Sequence, residues 1–280
     1  YNNIMIVDAF TFLNEKELVE LRVKYLSDIV DYFLIVEADV THTGKEKKWN
    51  FPEILNTNLK EFSHKIQYHQ MKVDLQKAEK EKSPNYKGGT WGRSWKVESM
   101  QRNFIKEVYK KFSPSDIIII SDLDEIPSKQ KLSFIKSCDF KVVAPVALEQ
   151  ASFHLNCNFL ELERWVGSVV VTKELVDSHE PQIFRDLRKR ISCFTDAGWS
   201  FSSFGGVERV REKIESFCHE ELNKKTFKNE THLKTCIETG KDIFDRQVKK
   251  RKIDKSFFPK DLLKLMEENS TFYFGSNTTI

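Results

Sequence analysis

Two aspartates, Asp122 and Asp124, stand just beyond the four isoleucines at positions 117–120, separated from them by Ser121. Alternate residues of an extended chain point to the same side, so the two carboxylates would lie about 7 Å apart. Carboxylate oxygens suit Mg²⁺ or Mn²⁺, and these ions usually complete their coordination with phosphate oxygens. The pair predicts a metal and phosphate site, although a solvated acidic turn after a buried strand has the same sequence pattern.

Predicted strands and helices alternate along the chain and would position this pair of aspartates. Apolar runs at 4–7, 32–36 and 117–120 are typical of strands buried on both faces. Helical spacing between the runs predicts an α/β fold with βαβ units and a mostly parallel sheet, whose ligands bind beyond the carboxyl ends of the strands. Four acidic residues follow predicted strands and are expected at that edge: Asp8, Glu37, Asp122 and Asp124.

Two further segments flank this region. Residues 97–112 carry apolar side chains at helical spacing, which places Arg102 on a helix from which its cation could approach a diphosphate. Residues 83–96 are rich in glycine and follow a charge run, so we expect a mobile surface loop there. Residues 142–148 are a further strand candidate.

The composition excludes several classes of protein. With 280 residues, 40% hydrophobic and 31% charged, the chain is too apolar to be disordered. Lys+Arg 45 against Asp+Glu 42 gives +3, too small a charge to grip nucleic acid through a global field. No apolar run approaches the ~20 residues of a membrane span. The five cysteines include no CxxC pair, which excludes a zinc knuckle, and a core of this size favours reduced thiols.

Six short blocks in a fixed order resemble a known family. They are Asp8 to Glu15 (DAFTFLNE), Val30 to Glu37 (VDYFLIVE), Thr41 to Lys45 (THTGK), Gln101 to Asn103 (QRN), Ser121 to Pro127 (SDLDEIP) and Asp196 to Trp199 (DAGW). Any one block is weak evidence, but together they resemble glycosyltransferase family 17. The resemblance runs from about residue 4 to residue 223, and the residues after it carry no recognised block.

The resemblance implies a GT-A fold, transfer with inversion at the anomeric carbon, and a metal-bridged UDP-sugar donor, most simply UDP-GlcNAc with Mn²⁺ or Mg²⁺. It assigns the metal and the diphosphate to Asp122 and Asp124. It places Arg102 on the donor side, and it puts Asp8 and Glu37 near the nucleotide. The acceptor would be a glycan or a glycoprotein. Apart from the resemblance, we expect the glycine-rich loop at 83–96 to close over the donor as a lid.

An inverting transfer also needs a base for the acceptor hydroxyl, away from the metal. Asp196 is the first candidate because it opens the family-like DAGW block, in which Gly198 permits an unusual backbone angle. Glu208 is the second candidate, since it lies in the first turn of a predicted helix whose dipole suits a carboxylate. Either acid could instead be a cap or part of an ion pair.

Three other residues complete the predicted site. His219 could join the metal shell, as a late histidine often does in GT-A enzymes. Trp199 and Trp165 offer flat apolar faces on which an acceptor sugar could stack, although a tryptophan is more often part of the core. The chain departs from the family at Ser200, where members commonly have histidine, which puts a metal or acceptor role of that position in doubt.

The sequence predicts one GT-A domain over residues 1–223, with a helical extension at 224–280 packed on it. Two other functions remain open. Paired acids at a sheet edge also suit a nucleotidyltransferase, although no glycine-rich phosphate loop follows the first strand. The chain could also be a non-catalytic nucleotide- or glycan-binding module. A microbial or viral origin would mean the cytoplasm, and a eukaryotic origin with the anchor removed would mean the Golgi lumen.

Overall fold

The computed structural model of the protein describes residues 4–80, 92–109, 111–269 and 271–272. Within these residues eleven strands form one sheet. They are β1 (Ile6–Phe12), β2 (Tyr32–Ala38), β3 (Ile66–Met71), β4 (Ile117–Asp122), β5 (Glu125–Pro127), β6 (Val146–His154), β7 (Phe159–Glu161), β8 (Trp165–Thr172), β9 (Ser192–Phe194), β10 (Gly198–Ser202) and β11 (Lys250–Lys252).

Helices connect and cover these strands. They are α1 (Lys16–Leu26), α2 (Phe51–Asn56), α3 (Leu75–Lys80), α4 (Arg93–Asn103), α5 (Ile105–Val108), α6 (Lys129–Ser137), α7 (Phe140–Val143), α8 (Lys173–Ser178), α9 (Pro181–Leu187), α10 (Gly206–Ser216), α11 (Glu230–Thr239) and α12 (Lys260–Glu267). None of the helices described combines the length and apolarity needed to cross a bilayer.

The sheet is mixed, with the order β11-β7-β6-β8-β4-β1-β2-β3, and β10 pairs with β5 and β6 off this path. The neighbours β3, β2, β1 and β4 are parallel, whereas β8 runs antiparallel to β4 and to β6. An α/β fold is therefore confirmed, but the prediction of a mostly parallel sheet is wrong beyond β4. The chain between β6 and β8 is too short for the helical crossover that parallel neighbours require.

The isoleucines of β4 explain why this strand reads as one continuous apolar run. Ile117 and Ile119 pack into a core with residues of α1 and α12, whereas Ile118 and Ile120 pack into a second core with residues of α5, α8 and α9. Both faces of the strand are thus buried, as in a sheet covered by helices on two sides. Asp122 continues the second set and faces α4 and α9.

Three local predictions need correction, and one segment lies outside the described residues. Asp8 is the third residue of β1 rather than a residue beyond its end. The helix predicted at 97–112 is broken at Phe104 into α4 and α5. The strand predicted at 142–148 begins at Val146, after the short helix α7. Of the predicted lid at 83–96, residues 83–91 are outside the described part of the chain.

The residues after 223 contribute to two cores. Leu262 and Met266 of α12 join the core beneath α1, and β11 adds an edge strand beside β7. Leu233 and Cys236 of α11 form a smaller cluster with α10. The predicted division of the chain at residue 223 stays a prediction.

Candidate active site

The turn between β4 and β5 lies at the carboxyl edge of the parallel strands. Asp122 is level with Thr11 of β1, which is level with Val36 of β2. The chain reverses over Leu123 and Asp124 before β5 begins. The side chains of Asp122 and Asp124 are 35% and 19% exposed, so both reach the surface at this edge.

One guanidinium holds this turn from the α1 face of the sheet. Arg22 Nη1 donates to the carbonyl oxygens of Asp122, Leu123 and Glu125 at 2.9, 3.0 and 2.8 Å. Its Nε and Nη2 donate to the two carboxylate oxygens of Asp8 at 2.8 and 2.6 Å. Both side chains are completely buried. Asp8 therefore compensates the charge of Arg22, and Arg22 fixes the backbone of the turn.

The predicted nucleotide contacts of Asp8 and Glu37 are not supported by this arrangement. Both side chains are 0% exposed, and the carboxylate oxygens of Asp8 are occupied by Arg22. Glu37 accepts hydrogen bonds from the backbone N–H groups of Asn50 and Phe51, where α2 begins, and from the Tyr68 hydroxyl at 2.6 Å. We therefore assign both acids to positioning the loops at the sheet edge.

Two further arginines hold Asp122 from the opposite face. Arg102 of α4 donates to Oδ1 at 2.7 Å, and Arg185 of α9 donates to Oδ2 at 2.6 Å. Arg102 also donates to Glu98 at 2.8 Å, and Arg185 donates to both oxygens of Glu125. Burial alone would raise the pKa of Asp122, but Arg185 and Arg102 outweigh it and hold this pKa well below its usual range. Asp122 therefore stays ionised within a network of paired charges.

Glu125 links this network to Trp165. The indole Nε1 of Trp165 donates to Glu125 Oε1 at 2.7 Å. Burial raises the pKa of Glu125, although Arg185 opposes this. A Cβ on Gly167 would lie 2.6 Å from Glu125 Oε1, so only glycine fits beside the pair. The indole N–H of Trp165 is thus occupied, and its stacking with an acceptor sugar stays a prediction.

Lys213 connects Asp124 to a neighbouring cleft. The Lys213 ammonium donates to Asp124 Oδ2 at 3.0 Å. Lys213 also lines a narrow surface cleft with Glu15, Ser203 and Arg209. Burial alone would lower the pKa of Lys213, but Asp124, and after it Glu15, keep this pKa above its ordinary value. Glu15 is therefore a carboxylate of the cleft that acts electrostatically on the same ammonium as Asp124.

His219 makes its contacts with residues other than the two aspartates. Its Nδ1 is 2.8 Å from Glu221 Oε1, and its ring packs edge-on against Trp95 with the centroids 4.8 Å apart. Among the residues that the structure describes, no three histidine, cysteine, aspartate or glutamate side chains gather into a group that could hold a metal. The predicted ligand role of His219 stays a prediction.

The two acids predicted as the base are both surface residues. The Asp196 side chain is 77% exposed and pairs with Arg164 at 3.0 Å. The Glu208 side chain is 80% exposed and pairs with Arg211 at 2.6 Å. Asp196 precedes β10, whose opposite end pairs with the Asp122–Glu125 turn, since Phe201 N–H donates to the Asp124 carbonyl at 2.8 Å. The structure therefore does not bring Asp196 to the two aspartates.

The remaining residues of the DAGW block form core structure. Trp199 is 7% exposed and packs edge-on against Tyr25, so its ring has no open face for a sugar in this packing. Gly198 has φ +143°, and a Cβ there would lie 2.2 Å from the Ile126 carbonyl oxygen. The expectation of an unusual backbone angle at Gly198 is thus confirmed, and its reason is the close approach of β10 to β5.

A family model described as "Glycosyltransferase family 17" matches residues 2–269. The chain belongs to this family. The family resemblance of the six sequence blocks is therefore confirmed, and so is the predicted enzyme class, glycosyltransferase. The match also extends well beyond residue 223, where the recognised blocks end.

Two relatives that match part of this chain have a more specific enzyme name. The "Beta-1,4-mannosyl-glycoprotein 4-beta-N-acetylglucosaminyltransferase" of Rattus norvegicus and that of Homo sapiens are each 27% identical to the family 17 chain over 139 residues. The matched region is 48% of this chain and 24% of each relative. The chain therefore spans about a quarter of the length of the curated relatives that it matches.

One solved structure is similar to this family 17 chain over a large part of both molecules. It is a putative glucose-1-phosphate thymidylyltransferase from Bacillus anthracis in complex with a sucrose, with a TM-score of 0.36 and 10% identity. The match covers 70% of this chain and 88% of that chain. A likeness at this score carries no argument about function.

The family 17 blocks did not include several residues that the structure brings to the turn. Arg22, Arg185 and Lys213 stand on helices outside the blocks, and their partners are distant in the sequence. A single sequence gives no signal for such pairs. The family departure at Ser200 lies inside the protein, because Ser200 is 5% exposed on β10 and pairs with Glu125.

Proposed function

We propose that the protein is a metal-dependent, inverting glycosyltransferase with a GT-A fold. It would move a sugar, GlcNAc in the first instance, from a UDP-sugar to a hydroxyl group of a glycan or glycoprotein. The observation that carries this proposal is the Asp122–Asp124 turn, which three buried arginines hold at the carboxyl edge of the parallel strands in a family 17 chain. The names of the curated relatives support GlcNAc as the sugar.

The side chains of the turn fit a divalent cation unequally. Both oxygens of Asp122 accept hydrogen bonds from arginines, whereas Asp124 Oδ1 accepts none from the residues that the structure describes. Hard carboxylate oxygens at an exposed sheet edge suit Mg²⁺ or Mn²⁺. Asp124 is therefore the better direct ligand, and Asp122 would contribute charge and order. When bound, the metal would neutralise the charge that develops on the departing UDP.

The arginines keep this acidic turn in one conformation. Arg102 and Arg185 are 2% and 4% exposed, and each one binds two carboxylates. Such paired and buried groups have little freedom to reorganise, so the turn would meet the diphosphate already ordered. The donor contact predicted for Arg102 would then act through Asp122 rather than directly.

The acceptor-side base would be a carboxylate of the cleft. Asp196 and Glu208 are exposed and paired at the surface, whereas Glu15 lines the cleft that also contains Lys213. Glu15 Oε2 accepts hydrogen bonds from the backbone N–H groups of Leu13 and Asn14 at 3.2 and 3.1 Å, which orients the side chain. We therefore place Glu15 before Asp196 and Glu208 as the base that takes the acceptor proton.

Calorimetric titration of UDP-GlcNAc, UDP-glucose and UDP-galactose with Mn²⁺ tests the proposed function. We expect binding of UDP-GlcNAc that requires the metal and that weakens by about tenfold or more in Asp124→Asn, the effect of losing a charged ligand. Asp245→Asn is the matched control, because Asp245 is also paired with a lysine but lies in the α11 region. Equal binding by wild type and Asp124→Asn, or no binding of any UDP-sugar, would overturn the proposal.

A further inference from the structure

Helix α10 carries one lysine to the acidic turn. Val210 and Ile214 bury one side of this helix in the small core shared with α11. Between them along the chain, Lys213 reaches Asp124 Oδ2 at 3.0 Å and Ser202 Oγ at 3.5 Å. The side chain is 31% exposed and forms part of the wall of the cleft. The ammonium thus lies where the turn and the cleft meet.

The charges around this ammonium are mainly negative. Asp124 bonds to it directly, and Glu15 and Asp122 also raise its pKa. Arg209 is the other cation of the cleft, and it pairs with Glu17 at 3.8 Å and with Glu212 at 3.5 Å. The charge of Lys213 is therefore committed chiefly to the carboxylate that we propose as the metal ligand.

A lysine ammonium and a divalent cation cannot both lie close to one carboxylate oxygen pair without strong repulsion between them. Lysine has a flexible stem with four carbons, so its ammonium can move to a neighbouring anion. The diphosphate of a UDP-sugar beside Asp124 would be such an anion. Lys213 is thus positioned to exchange one negative partner for another.

We propose that Lys213 competes with the divalent cation for Asp124 and turns to the donor diphosphate when the cation binds. The inference rests on the proposed function and deepens it. It makes Lys213 a positioning residue that weakens metal binding in the absence of nucleotide and strengthens nucleotide binding in its presence. Metal and donor would therefore bind cooperatively. The cation releases Lys213 for the diphosphate, and the diphosphate draws Lys213 away from Asp124, which is then available to the cation.

The test is a pair of binding measurements on Lys213→Met, which keeps the apolar stem and removes the charge. Mn²⁺ binding without nucleotide, followed by electron paramagnetic resonance of the free ion, should become about tenfold tighter. UDP binding at saturating Mn²⁺, measured by calorimetry, should become about tenfold weaker. The two effects have opposite signs, which a lysine that only holds α10 in place would not produce.

Lys228→Met is the matched control. Lys228 lies outside α10 but pairs at 2.8 Å with Glu215, a residue of α10, and it has no bond to Asp124, so both affinities should remain those of wild type. Thermal unfolding of each variant verifies that it folds. If Lys213→Met binds Mn²⁺ no tighter than wild type while wild type binds UDP with Mn²⁺, the inference is overturned and the proposed function stands. If wild type binds no UDP with any metal, both are overturned.

Discussion

The Asp122–Glu125 turn and the Asp196–Trp199 segment belong to neighbouring strands but differ in almost every physical respect. In the turn, three arginines that are less than 5% exposed bind the acids and the carbonyl oxygens. In the other segment, Asp196 is 77% exposed and has one surface arginine as its partner. Both segments carry a family block, so a motif in the sequence does not by itself distinguish a charged site from a structural corner.

The physical reason for the difference is desolvation. A buried carboxylate must be paired and hydrogen-bonded, whereas an exposed one is stabilised by water with or without a partner. The turn therefore depends on Arg22, Arg102 and Arg185, which hold a fixed array of charges. Asp196 is exposed to water and needs no buried partner. The constraint in its segment lies at Gly198, whose missing Cβ lets β5 approach β10.

The largest expected effect is the loss of turnover when the proposed base, Glu15, is changed. Glu15→Gln should lower transfer, or the slow hydrolysis of UDP-GlcNAc, by about 10²-fold or more, because a positioned base contributes that much. UDP binding with Mn²⁺ should stay within a few-fold of wild type. Glu17→Gln is the matched control on the same cleft wall. If Asp196→Asn or Glu208→Gln abolishes turnover while Glu15→Gln does not, the base is one of these two exposed acids and our assignment of Glu15 is wrong.

Arg22→Met would sharpen the comparison through stability. The change leaves the buried Asp8 carboxylate unpaired and removes a donor from three carbonyl oxygens, so the free energy of unfolding should fall by about 3–5 kcal/mol. Urea unfolding measures it. Asp8→Asn with Arg22→Met should cost less than the sum of the single changes, because the two residues are in direct contact. Strict additivity would contradict the pairing.

The pH dependence of stability should separate two acids of the turn. Arg185 and Arg102 depress the pKa of Asp122 in the folded state, so this acid stabilises the fold above its unfolded pKa of about 3.9. The stability of wild type relative to Asp122→Asn should therefore shrink as the pH falls below about 4. Unfolding in urea from pH 7 to pH 3 measures this difference, and a constant difference would count against the arginine network.

Glu125 should show the opposite trend. Burial raises its pKa in the folded state, so its contribution is present at low pH and is lost as the pH rises through that raised pKa. The stability of wild type relative to Glu125→Gln should thus decrease from acidic to neutral pH. The same titration in urea tests it, and a trend of the same sign as that of Asp122 would refute the proposed roles of burial and charge.

The smallest effect on stability is expected for the exposed pair of Asp196 and Arg164. Arg164→Met removes the partner of Asp196, but both side chains reach solvent, with 34% and 77% exposure. The free energy of unfolding should change by about 0.5 kcal/mol or less. Thermal unfolding beside Arg22→Met tests this. A loss comparable to that of Arg22→Met would mean that the two regions are more alike than their burial indicates.

The sequence by itself determined the elements that depend on local pattern. The isoleucines at 117–120 predicted a strand buried on both faces, and the two aspartates after it predicted a charged turn at the sheet edge. Order and spacing of the six blocks were enough to identify family 17. These features are encoded by residues that are close together in the chain, so one sequence is enough to find them.

Only the tertiary structure decided which partners the acids have. Arg22 lies 100 residues from Asp122, Arg185 lies 63 residues away, and Lys213 lies 89 residues from Asp124. It also decided that Asp8 is buried within β1 and that β8 joins the sheet antiparallel to β4. Burial and charge pairing arise when distant helices pack on the two faces of one sheet, and the spacing of residues along the chain does not record which helices will meet.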